Sequence, residues 1–269
     1  MSISARPGSN GSNAITAAPN GRRSSNIIGR AALLLAALLI ASCSQPSDGP
    51  PQRVAASDYS AFYLWTGVKP PPAMDRAKAV YLLWGELRRN DPSQIIPLRR
   101  SVPTGEAEEI WLVVRAERLD WGDGAYEQLL DQAQRWNAQG TLTGVQVDFD
   151  SSTGGLSGYA GFLSNIRARL PRDLKLSATG LMDWPANASE ADLAAMRAAL
   201  DEIVIQTYQV TTTIPDYADY LAHTQRLRMP YRVALVEGGD WTPPSSLARD
   251  PDFKGYVVFL LRGGAAEAG

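Results

Sequence analysis

Two aspartates stand one residue apart in the stretch Gly144-Val145-Gln146-Val147-Asp148-Phe149-Asp150. Alternation of apolar and polar residues marks a strand with one buried face, and here the other face holds an amide and two acids. Carboxylates at i and i+2 of a strand lie about 6.5–7 Å apart at the backbone, near enough for one ionised group to raise the proton affinity of the other. A proton held in that way can be delivered to a leaving oxygen. Glycoside hydrolysis needs such an acid, together with a second carboxylate or a substrate group that stabilises an oxocarbenium-like transition state. Asp150 is the candidate general acid, Asp148 its electrostatic and orienting partner, and Glu237 or Asp183 a candidate further carboxylate.

Other chemistries find little to work with. The only histidine, His223, falls on the polar flank of a predicted helix, which offers no base for a serine triad. The only cysteine, Cys43, leaves no zinc set of histidine and cysteine; a hard cation on Asp148 and Asp150 is the lesser alternative. After the first strand, Gly67-Val68-Lys69-Pro70-Pro71-Pro72 is broken by prolines and cannot open a helix onto a pyrophosphate. No cofactor and no metal are expected.

The elements that must position the acids alternate in kind. Strand-like runs are expected at 62–66, 80–86, 110–117, 144–150, 175–181, 202–208, 231–237 and 255–261. Helical periodicity appears between several of them: Tyr126, Leu129, Leu130, Ala133 and Trp136, then Tyr159, Phe162, Leu163, Ile166 and Leu170, stopped by Pro171. Ser189 with Asp192 forms a capping-box pattern ahead of Leu193, Met196 and Leu200, and Pro215 suits the first turn of a helix carrying Tyr217, Tyr220, Leu221 and Leu227. Eight strands joined by helical crossovers pair in parallel, so the expected fold is α/β, a (β/α)8 TIM-like barrel. A doubly wound open sheet is the runner-up. The barrel is expected to be irregular at the second and last helices: residues 88–109 contain three prolines and room for a short strand at 95–98, and only eight residues follow Leu261.

In such a barrel Val145, Val147 and Phe149 face the helices, while Gln146, Asp148 and Asp150 face inward and climb toward the C-terminal mouth, where sites of this fold are built. Polar and aromatic residues collect at the other strand ends: Glu86, Arg115, Glu117, Asp183, Trp184, Gln206, Tyr208, Glu237 and Trp241. Of these, Tyr208, Gln206, Trp184, Asp183, Trp241, Glu86 and Glu117 are candidate substrate contacts, since aromatic faces with polar edges suit sugar rings. Gln146 and Asp148 could equally form a polar network satisfied by Arg115 and Tyr208.

Residues 1–42 hold four of the 26 basic residues and none of the 28 acidic ones, and end in the apolar run Ala31 to Ala41. That run is too short to span a bilayer, which takes roughly 20 residues, and reads as a secretory signal. Ile40-Ala41-Ser42-Cys43 looks like a bacterial lipobox, making Cys43 the candidate lipidation site, with 43–57 as a flexible tether and 58–269 as one barrel domain. Beyond residue 42 the chain has 22 basic and 28 acidic residues, a net charge of −6, which removes the electrostatic basis for nucleic-acid binding. The expected setting is the cell envelope, facing the periplasm, with a polysaccharide or glycan as ligand and a membrane met only through the lipid.

The stretch 144–150 resembles the fourth-strand motif Asp-Gly-x-Asp-x-Asp-x-Glu of chitinase-like glycoside hydrolases of family eighteen. By register Gly144 matches the glycine, Gln146 and Asp148 the two inner aspartates, and Asp150 the proton-donating glutamate. Gln206-Thr207-Tyr208-Gln209 resembles the sixth-strand Met-x-Tyr-Asp of that family. The resemblance implies a barrel that hydrolyses or binds glycans, with the substrate's own acetamido group as nucleophile. The departures, Asp for the donor Glu and Gln for the first Asp, favour a barrel that binds without turnover. A wider likeness, carried by Phe62-Tyr63-Leu64-Trp65, Trp111-Leu112-Val113-Val114-Arg115, Thr179-Gly180-Leu181-Met182-Asp183-Trp184 and Gly255-Tyr256-Val257-Val258-Phe259-Leu260, is to an uncharacterised family of bacterial envelope proteins carrying a domain of unknown function.

Overall fold

The computed structural model describes residues 50–99, 107–140 and 142–263. The expected signal segment and Cys43 lie outside them. Eight parallel strands occupy the expected places: β1 (Ala61–Leu64), β2 (Ala79–Leu87), β3 (Glu109–Ala116), β4 (Leu142–Asp148), β5 (Lys175–Leu181), β6 (Glu202–Gln206), β7 (Tyr231–Val236) and β8 (Phe253–Phe259). Each pairs with the next, and β8 returns to β1 through Val258 opposite Phe62 and Phe259 opposite Tyr63. The sheet therefore closes on itself, as a (β/α)8 barrel must.

Alternation along the strands sorts the side chains into two cores. Val145 and Val147 join the outer layer between sheet and helices, while Tyr63, Tyr81, Trp111, Val113 and Val204 pack inside the barrel. Three full helices cover the outside. In α1 (Asp123–Asn137), Tyr126, Leu129, Ala133 and Trp136 are buried, and in α2 (Leu156–Arg169), Tyr159, Phe162, Leu163 and Ile166. At the start of α3 (Glu190–Ala199) the Ser189 hydroxyl accepts the Asp192 N–H at 3.1 Å, satisfying one of the free donors of a helix start.

The remaining crossovers are thin. Between β2 and β3 the described residues hold a short antiparallel strand, Ile95–Pro97, and no α-helix. The helix expected after Pro215 is cut to Tyr217–Leu221, because Asp216 takes a left-handed φ of 57° and the chain passes into a 3-10 turn at Thr224–Arg226. His223 is exposed there. The barrel also begins before residue 58: Gln52–Arg53 pair antiparallel with Asp240–Trp241, and Val54 is buried. From Gln52 onward the expected tether is thus docked on the barrel wall.

At the N-terminal end of the strands the interior holds a charged network. The Arg232 guanidinium donates to Glu202 at 2.9 Å and to Glu109 at 3.0 Å and 3.2 Å. Tyr81 donates to Glu202 at 2.6 Å and the Trp111 indole to Glu109 at 3.2 Å, with the Tyr81 and Trp111 rings stacked 5.6 Å apart. Trp111 reaches this position because Gly144 leaves room: a Cβ there would sit 2.8 Å from its ring and 2.3 Å from the Lys175 carbonyl oxygen.

Candidate functional site

Above this network the inward face of β4 rises through Gln146 and Asp148 to Asp150, two residues past the strand end. Gln146 is fully buried and satisfied by neutral partners: it accepts from the Tyr63 hydroxyl at 2.8 Å and donates to the Ser177 hydroxyl at 2.9 Å. The expected partners Arg115 and Tyr208 do not reach it, because Tyr63 and Ser177 stand at its own level of the barrel.

Asp148 is one layer higher, partly accessible, and accepts from the Thr179 hydroxyl at 3.0 Å. That hydroxyl itself accepts the Phe149 N–H at 3.2 Å, so its own proton is committed to the carboxylate. Burial raises the proton affinity of Asp148; Arg115 and the Thr179 hydrogen bond oppose this, and Asp150 adds to it. The raised proton affinity thus belongs to Asp148, the residue expected to act as partner of the acid. Tyr208 holds its phenolic proton more tightly than usual, first through burial and then through Asp148 and Asp150.

Asp148 and Asp150 open into a cavity of about 450 Å³ at the C-terminal mouth, lined also by Gln206 and Tyr208. Its apolar walls are Trp65, Phe259 and Leu261. Phe259 lies against both Tyr208, at 5.4 Å, and Trp65, at 5.2 Å. Gln206 donates to the Tyr208 carbonyl at 2.8 Å, bracing a hairpin in which Tyr208–Gln209 pair with Thr212–Thr213. The hairpin tip overhangs the cavity. There Val210, 78% exposed, takes a left-handed φ of 56°, a conformation costing a β-branched residue about 1–2 kcal/mol. Residues held in such conformations concentrate where chains meet ligands.

The other candidates lie elsewhere. Trp184 is fully buried, its indole donating to the Ser151 carbonyl at 2.9 Å and its ring edge-on to Tyr159; it packs under the rim and cannot form a sugar platform. Trp241 is 2% exposed and stacked 4.3 Å from Tyr217 on the outer wall. Glu237 accepts the Leu261 N–H at 3.0 Å, stitching β7 to the segment after β8, and does not line the cavity. Asp183 accepts from the Thr153 hydroxyl, Glu86 pairs with Arg88 at 3.1 Å, and Glu117 accepts the Arg89 N–H at 2.8 Å. None of these three lines the cavity. Asp148 and Asp150 are thus its only lining acids among the described residues. Sequence reasoning missed Thr179 and Phe259. Thr179 comes to stand beside Asp148 through the Val147–Ala178 pairing of β4 with β5, a register that the sequence alone does not carry.

Among the described residues no group of three or more His, Cys, Asp or Glu side chains could hold a metal ion, and no helix is long and apolar enough to cross a membrane.

Residues 115–239 match the model of a domain of unknown function, DUF3142, which bears out the wider likeness over that stretch. No curated protein matches the chain. Among solved structures, the spore cortex-lytic enzyme SleL of Bacillus cereus is similar, with 17% identity, 65% of this chain and 49% of that one covered, and a TM-score of 0.42. The class V chitinase of Nicotiana tobaccum has 13% identity, 69% and 67% coverage, and a TM-score of 0.44. The chitinase domain of the Clostridium difficile spore coat protein CotE has 13% identity, 72% and 67% coverage, and a TM-score of 0.41. The chain spans about half the length of the SleL structure it matches.

Proposed function

We propose that the barrel mouth is a glycan-binding cleft of glycoside-hydrolase type, in which Asp150 delivers a proton to the leaving oxygen and Asp148 lies beside it in the cavity. The observation that carries this reading is one cavity in which Asp148 and Asp150 face the aromatic walls Trp65, Tyr208 and Phe259. A sugar ring buries its apolar face on such rings while its hydroxyls meet carboxylates.

Among the described residues no other acid lines the cavity, so no described carboxylate stands across it to activate a water or to act as nucleophile. Stabilisation of the oxocarbenium-like centre falls to a group on the substrate itself, and the reading commits to substrates that carry one, such as a 2-acetamido group. The resemblance of residues 144–150 to the chitinase-like motif points the same way.

One observation favours a second reading, in which the cleft binds glycans without turnover. Gln146, where that motif has an acid, is locked to Tyr63 and Ser177 and contributes no charge to the pair above it. A glycan panel assayed with the wild type and Asp150→Asn separates the two. Under the first reading, turnover falls by about 10²-fold or more while binding is kept. Binding without turnover in both proteins establishes the second.

The lipobox pattern at 40–43 supports attachment of a lipid to Cys43, holding the barrel at a bacterial membrane on the periplasmic side. Cells fed labelled palmitate should incorporate it into this protein and fail to do so in Cys43→Ser; equal labelling of the two removes the anchor.

A further inference from the structure

Arg115, near the C-terminal end of β3, is half-buried and lines the cavity, and its guanidinium lies 5.2 Å over the Trp65 ring. Among the described residues its guanidinium makes no hydrogen bond and no ion pair within 4.0 Å, although its charge is felt by Asp148 and Tyr208. Both neighbouring acids are engaged otherwise: Glu86 pairs with Arg88, and Asp148 takes its hydrogen bond from Thr179. A guanidinium carries five N–H donors in a rigid fork, here on a residue that lines the cavity. The cation–π contact with Trp65 holds the guanidinium at the cavity wall before any ligand arrives, so less freedom remains to be lost on binding.

Resting on the glycan reading above, we infer that the cleft selects a carboxylate-bearing sugar, with Arg115 gripping the carboxylate through two parallel hydrogen bonds and Trp65 backing the guanidinium. Three features narrow the ligand class. A single cation matches a single negative charge, and the planar fork matches the two oxygens of a carboxylate. Asp148 and Asp150 share the cavity and repel an anion from their own side, so the acidic ring is held at the Arg115–Trp65 wall with its neighbour over the aspartates. A dianionic phosphate would meet the same two aspartates with twice the charge and only one cation in compensation. The carboxylate can come from a uronic acid, where it is part of the sugar ring's own carbon chain, or from an acid ether on an amino sugar, as in N-acetylmuramate.

Calorimetric titration of the full chain with matched pairs tests this. One arm uses a glucuronate–N-acetylglucosamine oligosaccharide and its methyl ester, the second N-acetylmuramate and its methyl ester, and a third neutral N-acetylglucosamine oligosaccharides. The wild type is expected to bind the carboxylate form about tenfold more tightly than the ester in one of the first two arms, which identifies the source. Added salt should shrink that margin. Arg115→Gln should bind acid and ester alike, at the wild-type affinity for the ester, and Arg115→Lys should keep part of the preference. Equal wild-type affinity for acid and ester in both arms overturns the assignment without any variant having to fold, as does a preference that survives in folded Arg115→Gln. If neutral oligosaccharides bind and acids gain nothing, the carboxylate inference falls and the glycan reading stands; if no sugar binds, both fall.

Discussion

Arg232→Met is expected to lower the unfolding free energy by about 3–5 kcal/mol. The side chain is 13% exposed and joins Glu202, 8% exposed, to Glu109. Removing it leaves a carboxylate in the barrel floor with only the Tyr81 hydroxyl to offset its burial. The loss should depend on pH in a defined direction. Burial raises the proton affinity of Glu202, and Arg232 is the chief opposing influence. Without the arginine the folded-state value climbs further above the ordinary 4.5. A carboxyl whose folded value is raised costs nothing well below the unfolded value, where it is protonated in both states; the cost builds as pH rises from the unfolded value to the folded one and is complete above it. Urea unfolding at neutral pH and at pH about 4 should therefore show the larger loss at neutral pH. An equal loss at both would mean that Arg232 contributes packing alone.

Gly144→Ala is expected to cost about 3 kcal/mol, the upper part of the range for overpacking. The added methyl would lie 2.3 Å from the Lys175 carbonyl oxygen and 2.8 Å from the Trp111 ring. The first contact is with backbone of the paired strand β5, which can yield only by separating from β4. Trimming the ring in a Gly144→Ala, Trp111→Phe double variant should therefore restore little, measured by thermal unfolding. Full recovery would place the conflict at the indole instead. Because Gln146, Asp148 and Asp150 follow directly on the same strand, displacement of β4 would also move the acid pair.

Much of this architecture can be read from residue order, and the failures have physical causes. The strands announce themselves because each must bury one face on the helices and the other inside the barrel, and alternation in 144–150 alone places Asp148 and Asp150 in the mouth. Alternation fails where an extra residue enters the ladder. In β2 the pairing with β3 shifts between Leu83 and Gly85, so the alternation that puts Val80, Leu82 and Trp84 in the outer core cannot be counted further, and Leu87 joins them in place of residue 86. Tryptophans just past strand ends are ambiguous for a related reason: once pairing stops the chain turns freely, and Trp184 and Trp241 turn into protein while Trp65 turns to the cavity. The weak helix after Pro215 has the right apolar spacing, but spacing does not reveal the left-handed turn at Asp216 that shortens it. Arg115 reads in sequence as a partner for buried polar groups, and only the coordinates show those groups satisfied by others.

The barrel closes at its thinnest join. First and last strands share two residue pairs, Val258 with Phe62 and Phe259 with Tyr63, whereas β2 and β3 share eight. The cavity straddles this seam, since Tyr63 and Trp65 follow from one side of it and Phe259 and Leu261 from the other. A molecule resting on Trp65 and Phe259 together acts as a suture across the place where the cylinder is readiest to part. Occupancy of the mouth and endurance of the whole fold are in that way a single equilibrium, and whatever fills the one prolongs the other.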